Sequence, residues 1–158
     1  MAEGEFTLLR QHLKQALLKD SRGFTGVHDI YAMLADASAQ QRDEAALHEY
    51  TPLLEETAAP LDHTLYLAIA HRAWGVIHIL GGEYARAEAQ LNQALELFQE
   101  LETRWQIGRT LFEMADLARA RGEPALARDY YSRALGRFED IEALPDMART
   151  QAAMVELD

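Results

Sequence analysis

Moving the stretch from His71 to Phe98 forward by forty residues lays it on Leu111 to Phe138, and seven positions coincide. Gly82 falls on Gly122, Glu83 on Glu123, Ala85 on Ala125, Ala87 on Ala127, Ala94 on Ala134, Leu95 on Leu135 and Phe98 on Phe138. A period of roughly 20 to 50 residues marks a stacked array, because each unit is one supersecondary motif that cannot bury its apolar face alone. Within a copy the apolar spacing reads as two antiparallel helices. Leu111, Met114, Ala115 and Ala118 recur at intervals of three and four, Arg121-Gly122-Glu123 interrupts, and Ala127, Tyr131, Ala134 and Leu135 resume the pattern. Gly82 and Gly122 stand where left-handed backbone would end a helix, and Pro124 stands in the first turn of the next, where its missing N–H is not needed. Ala87, Ala94, Ala127 and Ala134 keep fixed points small, so that two helix backbones can approach.

These segments resemble the tetratricopeptide repeat family, whose pattern is W-x2-L-G-x2-Y, then A-x3-F, then P. The first part is carried by His71, Trp74, Gly75 and His78 in one copy and by Leu111, Met114, Ala115 and Ala118 in the next. The second part is Ala87 with Leu91, and Ala127 with Tyr131. The closing proline is absent and the period exceeds the usual repeat, both of which a longer second helix explains. Forty-residue repeats of this kind are similar to those in sensor arms of bacterial regulators and in kinesin light chains. The resemblance implies an all-α, right-handed superhelix (α-solenoid) of antiparallel helix pairs, about seven helices in one domain over residues 1–158. It also implies a non-catalytic protein-interaction module with a peptide or helix in its concave groove.

In that family the first helix of each pair lines the groove. Carried through the repeats, the groove positions are His28, Tyr31, Ala35 and Ser38; Ile69, Arg72, Val76 and Ile79; Arg109, Phe112, Asp116 and Arg119; and Arg149, Ala152 and Glu156. Each set is spaced three, four, three, a stripe along one helix face. The stripe holds Arg72, Arg109, Arg119 and Arg149 against Asp116 and Glu156, although the whole chain has a net charge of −11. Partly exposed arginine forks beside an apolar shelf suit a partner segment that presents carboxylates among apolar side chains. The competing reading pairs Arg109 with Glu113 and Arg119 with Asp116 along their own helices. The lysine and asparagine clamp of some relatives is not matched, since Val76 follows Arg72 one turn later.

Taken in order, Gly4-Glu5-Phe6 and Leu13 to Leu17 match Gly82-Glu83-Tyr84 and Leu91 to Leu95 at a shift of 78, so the chain is expected to open on a second-type helix. Ser21-Arg22-Gly23 would close it and Thr25 would cap the next helix, which carries Val27, Ile30, Tyr31, Leu34 and Ala37. Gln41-Arg42-Asp43 makes a turn without glycine, and Ala46, Tyr50, Leu53 and Leu54 carry the following helix at a shift of 41 from Ala87, with Pro52 expected to kink or end it. Asp62 and Thr103 are candidate caps, and Pro145-Asp146 opens a last helix of the first type. Phe6, Leu9, Leu13 and Leu17 at one end, and Met147, Met154 and Leu157 at the other, would lack a covering helix. These ends are complementary, which points either to a segment of a longer array in a larger bacterial regulator or to self-association, with a homodimer expected.

Composition narrows the partners. The net charge of −11 opposes binding to nucleic acid or to an anionic membrane, and the absence of cysteine removes disulfides and thiolate metal sites. The most apolar run, Leu65 to Leu80, is sixteen residues long and includes His71, Arg72 and His78, so it reads as a central helix covered on most sides rather than a membrane span. No secretory or lipidation signal is recognisable in the first residues, and the cytoplasm is the expected location. His71 and His78 lie two turns apart, too far to share an ion by themselves, and read as half-buried packing residues. The Glu55-Glu56 pair and the Glu96, Glu100, Glu102 group read as solvated faces. No nucleophile elbow, phosphate loop or zinc-protease pattern occurs. The expectation is a protein with no catalytic residue, no metal site and no cofactor.

Overall fold

A computed structural model describes residues 26–157 together with Leu8, Gln11, His12 and Gln15. Seven α-helices occupy the described residues, and no strand occurs among them: α1 (Val27–Gln41), α2 (Glu44–Ala58), α3 (Thr64–Leu80), α4 (Tyr84–Glu100), α5 (Arg104–Ala120), α6 (Pro124–Glu139) and α7 (Leu144–Val155). A single 3-10 turn, Ala59–Leu61, follows α2. Of the expected opening helix, Leu8, Gln11, His12 and Gln15 are helical, whereas Phe6, Leu9, Leu13 and Leu17, the Ser21-Arg22-Gly23 closure and the Thr25 cap lie outside the described residues.

The spacing of the turns is more regular than the spacing of identical residues. Left-handed backbone occurs at Arg42, Asp62, Gly82, Glu102, Gly122 and Glu142, one every twenty residues. At each, the next N–H donates to the carbonyl five residues back: Asp43 to Ser38 at 3.0 Å, His63 to Ala58 at 3.3 Å, Glu83 to His78 at 2.8 Å, Thr103 to Phe98 at 3.1 Å, Glu123 to Ala118 at 2.9 Å and Ala143 to Phe138 at 2.9 Å. The left-handed residue itself donates three back, as Gly82 does to Ile79 at 3.1 Å. Together these bonds satisfy the last carbonyls of every helix from α1 to α6, the Schellman closure. The structural unit is therefore a helix plus turn of twenty residues, and two of them make the forty-residue sequence period.

This register corrects three local expectations. Turns at Arg42 and Gly82 place α2 forty residues before α4, not forty-one, so the counterparts of Ala87, Leu91, Ala94 and Phe98 are Leu47, Thr51, Leu54 and Ala58, all buried. Asp62 is the left-handed residue and not the cap; His63 takes the N-cap position of α3. Thr103 does stand at the N-cap of α5, but its hydroxyl donates backwards to the Phe98 carbonyl at 3.2 Å instead of accepting from its own helix. Pro52 sits inside α2 without ending it, and the helix continues to Ala58.

Each first-type helix packs on its partner, α1 on α2, α3 on α4 and α5 on α6, and each second-type helix then meets the next first-type helix. Helices α1, α3 and α5 also touch one another, forming one layer with α2, α4 and α6 laid against it. The contact face of α4 is Ala87, Leu91, Ala94 and Phe98, and that of α6 is Ala127, Tyr131, Ala134 and Phe138, all buried. Burial of a phenylalanine side chain such as Phe98 or Phe138 contributes roughly 1.5–3 kcal/mol. The close approach is real at two glycines: a Cβ on Gly75 would lie 2.6 Å from Leu91 Cδ2, and one on Gly108 would lie 2.7 Å from Phe138 Cε1. The most covered helix is not the most apolar one. In α5 every residue from Ile107 to Ala118 is buried, including Arg109, Thr110, Glu113 and Asp116.

Candidate functional site

The layer of first-type helices carries a ladder of charges that runs from helix to helix. From the left-handed turn after α1, Arg42 reaches across to α5, where Nη1 donates to Glu113 Oε2 at 2.6 Å and Nη2 pairs with Asp116. Tyr131 of α6 donates its hydroxyl to the other oxygen of Asp116. One helix over, Arg72 of α3 donates to Asp36 Oδ1 of α1 at 2.7 Å and to the Gln106 carbonyl at 3.2 Å. Towards the last helix, Arg119 lies 3.1 Å from Glu156 and 3.4 Å from Asp116.

Two guanidinium groups on this face have no acceptor. Arg109 is 1% exposed, and its Nε, Nη1 and Nη2 all lack a hydrogen-bond partner; it stacks 5.0 Å from the ring of Trp105. Trp105 is itself tied to α7 by its Nε1, which donates to Asp146 at 2.9 Å. Arg149, the counterpart of Arg109 one period on, is half-buried 4.2 Å above the ring of Phe112 and makes no ion pair among the described residues. Cation–π stacking compensates part of the desolvation of each group. It leaves the hydrogen-bonding edge of the fork unsatisfied. The buried or half-buried charges here are Arg42, Arg72, Arg109 and Arg149 against Asp36, Glu113, Asp116 and Asp146, and because Arg42, Arg72 and Trp105 bond these carboxylates, Arg109 and Arg149 are left without one.

The titration behaviour follows from this crowding. Burial pushes the Arg109 pKa down, and Arg72 and Arg149 add to that by repulsion, against the attraction of Asp36 and Glu113. Burial works to raise the Glu113 carboxyl, but Arg42, Arg149 and Arg109 together overcome it and hold it below the ordinary carboxylate range. Asp116 goes the other way, raised by burial and by its neighbour Glu113. For Arg42, burial favours the neutral form, yet Glu113 and Asp116 outweigh it and raise the pKa.

The expected groove residues divide accordingly. Ala35, Ser38, Ile69, Arg72, Val76, Arg109, Phe112 and Asp116 are buried, and His28, Tyr31, Ile79 and Arg149 are half-buried. Arg119, Ala152 and Glu156 are exposed. The partial exposure expected of the arginines is therefore corrected for Arg72 and Arg109, which are both 1% exposed because neighbouring first-type helices close over them. Arg119 does lie beside Asp116 as the competing reading has it, but Glu113 is taken by Arg42 rather than by Arg109. His28 stacks with Tyr66 and His63 at the amino ends of α1 and α3, away from the ladder. Met147, Met154 and Leu157 are half-buried against the core, whereas Leu144 and Val155 of α7 are 68% and 72% exposed.

Sequence reasoning missed Arg42, Asp36 and Trp105, and gave Glu113 to Arg109 rather than to Arg42. Asp36 could have been found: with turns every twenty residues, the counterparts of Asp116 and Glu156 are Val76 and Asp36, and the stripe on α1 is Asp29, Ala32, Asp36 and Ala39. The first copy was read one residue out of register because its turn has arginine where the later ones have glycine. Arg42 carries no such signal, since its partners stand 71 and 74 residues away.

The histidines at the centre are held by single polar neighbours, His71 by Gln90 at 2.7 Å and His78 by Glu83 at 2.9 Å. Among the described residues no cluster of three or more metal-ligating side chains occurs, and no helix is long and apolar enough to cross a membrane. Residues 66–140, from the first turn of α3 to the end of α6, match the tetratricopeptide repeat family. No curated protein matches the chain.

Proposed function

Because residues 66–140 match the tetratricopeptide repeat family, and such repeats generally mediate contact between proteins, we propose that the chain is a non-catalytic interaction module whose first-helix face holds an acidic-apolar segment of another protein. The observation that carries this reading is the pair of guanidinium forks, Arg109 and Arg149, left without an acceptor. Arg149 is the reachable fork, one helical turn from the exposed Ala152, and the buried Arg109 has no hydrogen-bond acceptor. A carboxylate on Arg149 would form a charge-assisted, bidentate pair, and the apolar neighbours of that carboxylate would lie along Ala152. The two unsatisfied guanidinium forks argue against a basic partner, and the net charge of −11 argues against nucleic acid and anionic membranes.

Selection of peptides from a random displayed library against the wild-type chain and against Arg149→Glu tests this directly. Carboxylates next to leucine or phenylalanine are expected to be enriched on the wild type and lost on the variant. Enrichment of basic peptides, or the same sequences on both proteins, would refute it.

A second reading, self-association, is favoured by the exposed Leu144 and Val155 on α7. Leu144, Ala148, Gln151 and Val155 are the counterparts of Arg104, Gly108, Leu111 and Ala115, the α5 face that packs on α6. A second copy covering this face would give a dimer whose mass falls on dilution, measurable by light scattering between about 1 and 100 μM by mass action. A monomer throughout that range would leave only the partner-binding reading.

A further inference from the structure

On the opposite side of α5, between the second-type helices α4 and α6, lies an open cavity of about 340 Å³. Ile107 and Leu111 form its apolar floor, and Gly136 of α6 opens its wall. Its rim carries Gln99, Arg133, Arg137 and Asp140. At 100° per residue, Ile107 and Leu111 point nearly half a turn away from Arg109 and Asp116, so this groove and the charge ladder occupy different faces.

Three features set it apart from an ordinary gap between helices. Glycine inside a helix is destabilising relative to alanine, and nothing in the packing requires it here, because a Cβ on Gly136 would meet no atom within 4 Å. Only a side chain longer than a methyl group would fill the cavity from this position. One period earlier the same positions are filled differently: Gly136 and Arg137 correspond to Glu96 and Leu97, Arg133 to Gln93, and Leu111 to His71. The corresponding positions of the preceding repeat therefore carry Glu96 and no cation, over Leu67 and His71, whereas here two arginines stand over Ile107 and Leu111. Finally, the basic rim is only partly consumed internally. Arg137 has no ion pair or hydrogen bond among the described residues, while Arg133 makes a long 3.5 Å pair with the exposed Asp129 and lies over the Tyr130 ring.

We propose that this outer groove is a second docking site, which takes one leucine or phenylalanine side chain of a partner protein flanked by carboxylates. A cavity of 340 Å³ is at the small end of ligand sites, suited to one or two side chains and not to a helix. Arg133 and Arg137, four apart on α6, stand one turn from each other and present two forks to carboxylates on either side of that anchor. In a chain of net charge −11, a local basic rim over an apolar floor selects acidic segments by complementarity.

The test is titration of the full ¹⁵N-labelled chain with an acetylated and amidated Asp-Phe-Asp peptide. Amide shifts are expected at Ile107, Leu111, Gly136 and Arg137. Affinity is expected to fall at least tenfold in Arg133→Gln/Arg137→Gln and in Gly136→Glu, which restores the residue of the preceding repeat. Gly136→Ala should keep binding, since its methyl leaves the cavity open, and unchanged helical circular dichroism would show that each variant is folded. Equal binding of Asn-Phe-Asn would overturn the recognition of carboxylates. Shifts confined to the first-helix face around Arg149 and Ala152, or no shifts at millimolar peptide, would overturn the site itself. Variants at Arg133 and Gly136 leave the Arg149 face intact, so failure here is separable from failure of the first-helix reading.

Discussion

Arg42 is the side chain on which most of the buried charge depends. Removing it strands Glu113, fully enclosed in α5, and Asp116 beside it, and loss of one partner from a buried pair costs about 3–5 kcal/mol. Arg42→Ala should therefore lower the Tm by on the order of 10 °C in a domain of this size, whereas Arg86→Ala, at an exposed pair with Glu83, should leave it unchanged. The pH dependence of Glu113→Gln is also fixed in sign. A carboxyl held below its ordinary value of 4.5 contributes stability above that value and loses it as pH falls through its lower native pKa. The Tm gap between wild type and Glu113→Gln should be full at neutral pH and narrow below about pH 4.5. Asp116, with its pKa raised, contributes in the opposite sense and blunts the acid loss of the wild type. None of this was legible in the sequence, where Arg42 reads as a turn residue and Glu113 as an ordinary helix charge. Hydropathy cannot distinguish a solvated carboxylate from one that is buried against a guanidinium from a distant helix.

The helices themselves were legible because their period is written twice, by the apolar spacing and by Gly82 and Gly122. The twenty-residue turn spacing was legible only in part, because four of the six left-handed positions are Arg42, Asp62, Glu102 and Glu142. L-residues tolerate that conformation at a cost, and glycine does not bear it. Glu102→Gly should stabilise by about 0.5–1 kcal/mol and Gly82→Ala should destabilise by about 1 kcal/mol, both read from the Tm. Packing between partner helices gives a second check. Gly75→Leu or Ala115→Leu should cost roughly 1–3 kcal/mol, because the added atoms meet Leu91 or the closed interior of the α5–α6 pair, while Ala125→Leu on the exposed first turn of α6 should cost little. Gly136→Ala should gain about 0.5–1 kcal/mol from helix propensity alone, because the added methyl meets no atom.

At the scale of the molecule, two layers of helices leave two surfaces with opposite character to the chain's overall charge. The first-helix face has two guanidinium forks without an acceptor, and the groove over the back of α5 has Arg133 and Arg137 on its rim, in a protein of net charge −11. The sequence already pointed to the first of these through the arginine stripe, but which arginines are reachable depends on how closely neighbouring first-type helices approach, and spacing within one helix does not report that. Exposed electrostatics also set the salt dependence: binding at Arg149 should weaken from 50 to 500 mM salt as the screening length shortens, while the buried Arg42 and Arg72 pairs should hardly respond. The most direct measurement follows the arginine Nε–H signals by NMR while a display-selected acidic-apolar peptide is added. The Arg149 signal should move in proportion to saturation and Arg109 should follow, with Arg42 and Arg72 fixed. Movement confined to Arg133 and Arg137, or an Arg149 signal that stays put while the peptide binds, would contradict recognition by the first-helix face.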